Sequence, residues 1–105
     1  MKRTEGLALA HIFREAIRKS GIPVEEVLLY GSVARDTAVE DSDLDIAVVC
    51  KPFLSTRHEE NMALRRIRRS IDDRISPYCF HPEDFNTDQF FPLAREIEIT
   101  GVAIA

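Results

Sequence analysis

Apolar residues recur every three or four positions in two parts of the chain, and this spacing predicts two amphipathic helices. The first covers residues 5–20 and ends at Gly21 and Pro23, which do not continue a helix. The second begins at Ser55 or Thr56, where Thr56 and Glu59 form the pattern of a capping box. Its predicted inward stripe consists of Met62, Ala63, Ile67 and Ile71, with Leu64 partly off that line.

Shorter apolar runs predict strands. Val24–Tyr30 forms the first. Residues 43–50 form the second, whose two faces are both apolar beyond Asp45, so this strand is expected to be covered on both sides. Arg74–Phe80 predicts a third strand, placed at an edge or a bulge because Pro77 cannot donate a ladder hydrogen bond. Residues 102–105 would add a short final strand.

A short helix after Gly31 and a last helix over Pro92–Thr100 complete the order of elements. Strands that alternate with helices indicate an α/β or α+β domain. We therefore predict a single domain over residues 1–105, with a mixed sheet of about four strands covered on one face by helices.

Composition narrows the class of protein. The net charge of −4 argues against nucleic-acid binding by the whole surface, and no segment is long and apolar enough to span a membrane. The first five residues lack the apolar centre of a secretory signal, so a cytoplasmic location is expected. A chain of 105 residues is short for an enzyme with its own substrate domain, which suggests a partner. Cys50 and Cys79 are expected to be buried, reduced thiols.

The candidate chemistry lies between the first two predicted strands. Asp43 and Asp45 are two residues apart, so in a strand their carboxylates project from the same face. Such a pair tolerates its own repulsion best around a divalent cation, and hard oxygen ligands suit Mg²⁺ held jointly with nucleotide phosphates. Upstream, Gly31 permits a tight turn and Ser32 is predicted to cap the short helix, whose free N–H groups would face an anion. The simpler alternative is a turn glycine followed by two solvent-facing aspartates.

The pattern Gly31-Ser32, ten residues, Asp43-x-Asp45 resembles the minimal nucleotidyltransferases, small relatives of the DNA polymerase beta and kanamycin nucleotidyltransferase superfamily. Ala34-Arg35 after the turn and Asp41-Ser42 before the first aspartate extend the resemblance. It implies that Asp43 and Asp45 bind one or two Mg²⁺ ions and are catalytic. It also implies that ATP or another nucleoside triphosphate binds at Gly31, Ser32, Arg35 and Ser42, although Arg35 is equally suited to an ion pair with Asp36 or Glu40.

The family's third carboxylate lies on the third strand, and this chain departs from the pattern there. The corresponding position is Ser76, which is a poor Mg²⁺ ligand and cannot act as a general base. Asp73 lies three residues earlier, and an odd spacing puts it on the opposite face of an unbroken strand.

Three functions are compatible with these residues. The resemblance implies a Mg²⁺-dependent transfer of a nucleoside monophosphate, AMP from ATP, to a hydroxyl acceptor, in an antitoxin paired with a small helical HEPN-type protein. The alternative is a binding module of weak or no activity that neutralises a partner by contact, which Ser76 would favour. A third hypothesis is RNA binding by the basic patch, defined as Arg65, Arg66, Arg68 and Arg69, whose other interpretation is a solvated helix face.

Overall fold

The fold was obtained as a computed structural model that describes residues 1–38, 42–85 and 92–104. Helices and strands alternate along the chain as predicted, and a 3-10 turn at Pro82–Phe85 follows the third strand. The elements are α1 (Arg3–Lys19), β1 (Val24–Tyr30), α2 (Gly31–Ala34), β2 (Leu44–Cys50), α3 (Arg57–Arg68), β3 (Ile75–Phe80), α4 (Pro92–Thr100) and β4 (Val102–Ile104).

The four strands form one mixed sheet in the order β3-β2-β1-β4. β1 runs antiparallel to β2 and β4, whereas β2 and β3 are parallel and are joined through α3. Pro77 lies in β3, an edge strand, opposite Ile46 of β2. The predicted fold class and the edge position of this proline are therefore confirmed.

Buried residues form one cluster on each side of the sheet. The larger cluster includes Phe13 of α1 and Leu64 of α3, packed on Leu29 and Ile46. The smaller one joins α4 to the opposite face, as its members Tyr30, Ala47, Val49, Phe80, Ala94 and Ile97 show. Helices therefore cover both faces of the sheet, whereas the sequence predicted helices on one face only. β2 is covered on both sides, as its sequence indicated.

α3 is rotated relative to its predicted stripe. Leu64 is fully buried, while Ile67 and Ile71 pack at the margin of the larger cluster. Met62 and Ala63, predicted to face inward, are only half-buried. Glu60 lies four residues before Leu64, on the same helix face, and is 1 % exposed. The Oγ1 atom of Thr56 accepts the N–H of Glu59 at 3.1 Å, so one half of the capping box is present.

The buried Glu60 carboxylate is the centre of a polar network. Its Oε2 accepts the backbone N–H groups of Phe53 and Leu54 at 2.7 and 3.3 Å. Its Oε1 lies 2.8 Å from Nε2 of His81, and Nδ1 of the same ring lies 2.8 Å from Nη2 of Arg57. Arginine can only donate, so Nδ1 is the acceptor and Nε2–H donates to Glu60. The network satisfies a carboxylate that would otherwise be costly to bury.

Two further predictions concern Cys50 and Cys79. Both are buried, and neither forms a disulfide, although their Sγ atoms lie 3.2 Å apart.

Within the described residues, no helix has both the length and the apolar character required to cross a membrane.

Candidate active site

The end of β1 turns directly into α2 at Gly31. Gly31 has a φ of +76°, in the left-handed region that favours glycine. The helix begins at Gly31, its N-cap is Tyr30, and no side chain caps it. The prediction that Ser32 is the N-cap is therefore wrong, because the helix begins at the left-handed glycine and its N-cap lies two residues earlier than predicted. Ser32 lies inside this four-residue helix and is half-buried.

Asp45 lies opposite the last residue of β1. It pairs with Tyr30 on one side and with Ser76 of β3 on the other, so all three side chains share one face of the sheet. A Cβ atom added to Gly31 would collide with Oδ2 of Asp45. The glycine turn and the aspartate are therefore in direct contact, and Ser76 occupies the neighbouring position expected for a third carboxylate.

The other predicted site residues surround this contact. Asp43 precedes β2 by one residue and is exposed, and Ser42 beside it is half-buried. Nη1 of Arg35 lies 3.5 Å from Oε1 of Glu96 on α4. Among the described residues, Arg35 therefore pairs with Glu96 rather than with Asp36, while Glu40 and Asp41 lie outside the described residues. Glu96 was not singled out from the sequence, because its position relative to β2 depends on how α4 packs.

Negative charge is concentrated at this end of the sheet. Burial raises the pKa of Asp45, the carboxylates of Asp43 and Glu96 raise it further, and the guanidinium of Arg35 opposes them. Burial and then Asp45 and Glu96 raise the pKa of Tyr30 to about 12, so its phenol is neutral at physiological pH. The ionised carboxylates therefore lie close together with one partly exposed cation beside them.

A divalent cation suits this donor set. The two aspartates offer hard oxygen atoms at the start of β2, and a cation would offset both the burial and the charge of Asp43 that raise the pKa of Asp45. Asp43 is exposed and Asp45 half-buried, which leaves room for phosphate oxygens and water in the remaining coordination positions. The residues therefore fit Mg²⁺.

A second group of ligand-type residues lies at the opposite end of β2 and β3. Ligand atoms of Glu60, Cys79 and His81 lie within 4.8 Å of one another, all buried. However, both ring nitrogens of His81 already have partners, one of them the cation Arg57. A cation at this position would have to displace a buried hydrogen bond and approach a guanidinium, so this group is better explained as part of the buried polar network.

Replacing Asp45 by Asn is expected to stabilise the cation-free protein at pH 7. The native fold raises the pKa of Asp45 above its ordinary value of 3.8, so stability falls as the pH rises through the folded pKa. Asparagine is similar in size to aspartate but carries no charge. We expect the melting temperature to rise by roughly 2–4 °C, about 0.5 kcal/mol for a partly solvated group, in calorimetry. The exposed Asp73→Asn is the control, and a lower melting temperature for Asp45→Asn would contradict the prediction.

Gly31→Ala is expected to lower both stability and activity. The left-handed φ costs about 1–2 kcal/mol for a residue with a Cβ atom, and the new methyl group must displace the Asp45 carboxylate. Gly21→Ala is a matched control, because Gly21 has a φ of +83° but no atom within 4 Å of an added Cβ. Thermal melting and nucleotide transfer are measured for both variants. If both lose stability but only Gly31→Ala loses activity, the cost of the left-handed φ is separated from the clash with Asp45. Equal activity in both variants would contradict the contact with Asp45.

Comparison with known proteins identifies the family. The nucleotidyltransferase domain matches residues 10–100. MJ1305 of Methanocaldococcus jannaschii, to which protein adenylyltransferase activity is provisionally assigned, is 33 % identical over 100 residues, covering 91 % of this chain and 67 % of its own.

Solved structures share the fold. A provisionally assigned nucleotidyltransferase from Sulfolobus solfataricus superposes with a TM-score of 0.67 at 22 % identity, covering 96 % of this chain and 80 % of its own. A toxin–antitoxin structure with AMP-PNP gives a TM-score of 0.66 at 17 % identity, with coverage of 92 % and 72 %. A substituted MntA–HpeT toxin–antitoxin gives 0.57 at 16 %, with coverage of 90 % and 70 %.

The family match includes α2, β2 and the whole of the site built around Gly31 and Asp45. It also accounts for an exposed and a half-buried aspartate placed beside a glycine turn, because perturbed, mutually repelling carboxylates are typical of functional sites. The chain therefore belongs to the nucleotidyltransferase domain family, and its enzymatic class is that of the nucleotidyltransferases.

Proposed function

We propose that this chain transfers AMP from ATP to a hydroxyl group of a partner protein and that Mg²⁺ is required. The observation that carries the proposal is the direct contact between the Gly31 turn and Asp45, with Asp43 and Arg35 beside it. This juxtaposition supplies an approachable backbone for phosphates next to a pair of oxygen ligands. The activity is expected in the cytoplasm.

Asp43 and Asp45 would hold the cation, which when bound neutralises charge on the phosphate oxygens. Gly31 and Ser32 would lie against the phosphates that leave, because the turn has no side chain at its closest point. Arg35 is half-exposed and its contact with Glu96 is long, at 3.5 Å, so Arg35 would exchange Glu96 for a phosphate at little cost. Ser42 precedes the Asp pair and would contact the same nucleotide.

The choice of AMP and of a protein acceptor rests on the relatives. MJ1305 carries the provisional assignment of protein adenylyltransferase, and one structural neighbour is a toxin–antitoxin with AMP-PNP. In another, a mutant of MntA–HpeT, two aspartates two positions apart are replaced by glutamate, the same spacing as Asp43 and Asp45. We therefore propose that this chain is an antitoxin whose acceptor is a small helical toxin of the HEPN type.

The test is label transfer from ATP carrying ³²P at either the α or the γ phosphate. The protein is co-expressed with its genomic neighbour, purified, and incubated with Mg²⁺ and each labelled nucleotide. Label from the α position alone should appear on the neighbouring protein, because transfer of AMP leaves the γ phosphate in pyrophosphate. Label from the γ position would instead indicate a kinase and would contradict the proposal.

A second candidate is a binding module that neutralises its partner without turnover. Ser76 favours it, because this hydroxyl lies beside Asp45 at the position of the missing carboxylate. Co-purification of the neighbour without label transfer from any of the four nucleotides would support this second function.

A further inference from the structure

Position 76 carries a serine instead of a carboxylate, but a glutamate of α4 lies close to the same end of the sheet. Ser76 pairs with Asp45 in the parallel register, so the site face of β3 carries a hydroxyl next to the aspartate. Resting on the proposed function, we propose that Glu96 of α4 supplies the third carboxylate of the active site.

The packing of α4 brings Glu96 to the site. Ala94 and Ile97 bury their side chains in the smaller cluster, which also contains Tyr30 and Ala47. Glu96 lies on a flank of the helix, away from the face formed by Ala94 and Ile97, and its Oε1 is 3.5 Å from Nη1 of Arg35, the residue that follows α2. Since α2 begins immediately after Tyr30, the strand neighbour of Asp45, this contact brings Glu96 to the end of the sheet at which Asp45 lies.

The electrostatics agree with this placement. Glu96 contributes to the raised pKa of both Asp45 and Tyr30, two residues that are paired across β1 and β2. Its side chain is 45 % exposed, so water and substrate can reach it, unlike a carboxylate committed to the core. The contact with Arg35 is long and half-exposed, and such pairs rearrange at little cost when a phosphate arrives.

Of the described residues, the acids just before β3 and the next acid of α4 are less suited to this position. Asp72 accepts hydrogen bonds from Nε and Nη2 of Arg74 at 3.0 and 2.8 Å, which occupy both of its oxygen atoms. Asp73 is exposed and lies before β3 begins. Glu98, the next acid of α4, lines a different groove of about 580 Å³ together with Glu25 and Glu26.

A third carboxylate has two tasks in the transfer step. Its charge adds to that of Asp43 and Asp45 in holding the cation, and one oxygen accepts the proton of the acceptor hydroxyl. As that proton moves to Glu96, the hydroxyl oxygen forms a bond to the α phosphorus. The bond from the α phosphorus to the bridging oxygen breaks, and pyrophosphate leaves with its electron pair.

Glu96→Gln is the test, and Glu98→Gln is the matched control from the same helix. The first readout is Mn²⁺ binding to the nucleotide-free protein, followed by the electron paramagnetic resonance signal of the free ion. We expect Glu96→Gln to weaken binding by about 10- to 100-fold. The second readout is the rate of α-label transfer, expected to fall by about 100-fold or more. Glu98→Gln should match the wild type in both.

Restoring the acid on β3 provides the decisive variant. Ser76→Asp in the Glu96→Gln background should recover at least about tenfold in Mn²⁺ affinity, because the new carboxylate stands beside Asp45. Wild-type Mn²⁺ affinity in Glu96→Gln would overturn the role of Glu96, whatever the transfer assay gives. If Glu96→Gln weakens Mn²⁺ binding but the wild type transfers no label, the proposed function is contradicted, while the role of Glu96 in binding the cation is supported.

Discussion

Asp43→Asn is expected to transfer nucleotide at least about a thousandfold more slowly than the wild type, equivalent to about 4 kcal/mol of transition-state stabilisation. The substitution keeps the size of the side chain and removes one anionic oxygen ligand. Asp43 is exposed and its charge raises the pKa of Asp45, so removing that charge relieves a repulsion in the fold. The melting temperature should therefore stay the same or rise slightly.

The control is Asp36→Asn. Asp36 is an exposed acid close in sequence, and its φ of +59° is a conformation that asparagine adopts readily. Single-turnover transfer of α-label, with circular dichroism of each variant, measures both effects. If Asp43→Asn retains more than about a tenth of wild-type activity, less than about 1.4 kcal/mol would depend on this carboxylate, too little for a metal ligand.

Glu60→Leu is expected to destabilise the protein by about 3–5 kcal/mol, a large part of the stability of a domain of this size. Leucine is similar in volume to glutamate, so the destabilisation comes mainly from lost hydrogen bonds. The N–H groups of Phe53 and Leu54 and Nε2–H of His81 would all lose their acceptor. We expect the melting temperature to fall by roughly 15 °C or more in calorimetry.

Glu59→Leu is the control, because Glu59 is exposed on the same turn and its substitution should change stability by about 0.5 kcal/mol or less. A similar small change in Glu60→Leu would mean that the buried polar network contributes little net free energy.

Acid should remove part of the stabilisation due to Glu60. Burial alone would raise its pKa, but the N–H groups of Phe53, His81 and Leu54 together lower it below its ordinary value of 4.5. A lowered pKa stabilises the fold above that value, and the stabilisation is lost as the pH falls through the folded pKa. The difference in unfolding free energy between wild type and Glu60→Gln should therefore shrink below about pH 4.5 in urea titrations. A constant difference down to pH 3 would contradict this.

The sequence predicted the order of helices and strands because their apolar periodicities are strong and are separated by glycine and proline. Gly31 was expected directly after the first strand and Asp45 within the second because both strands are marked by apolar runs, and the position of Asp45 in its strand fixes the face on which it lies. The burial of Glu60 was not predicted because the inward face of α3 was placed on Met62 and Ala63. The stripe formed by Leu64, Ile67 and Ile71 passes through position 60, and a glutamate there was not expected to be buried.

Glu96 and the true start of α2 depend on tertiary structure. The capping of α2 depends on the backbone conformation of Gly31, which a Gly-Ser dipeptide does not specify. The distance from Glu96 to Arg35 depends on α4 crossing the face of the sheet opposite α1 and α3. Contacts between elements distant in the chain leave no periodic signal, and these two residues are 61 positions apart.

The parallel pairing of β2 and β3 has a consequence for how this protein can change during evolution. The acids proposed for chemistry lie at the start of these strands, and the network around Glu60 lies at their far end, about 16 Å away at the rise of a parallel strand. At that distance, substitutions at the two ends have nearly additive effects on stability. An aspartate can therefore be lost at Ser76 while an acid on another element takes over its task, without a folding penalty from the far end. Residues at the start of β2 and β3 can therefore be substituted without loss of the stability that the Glu60 network provides at the far end of the same strands.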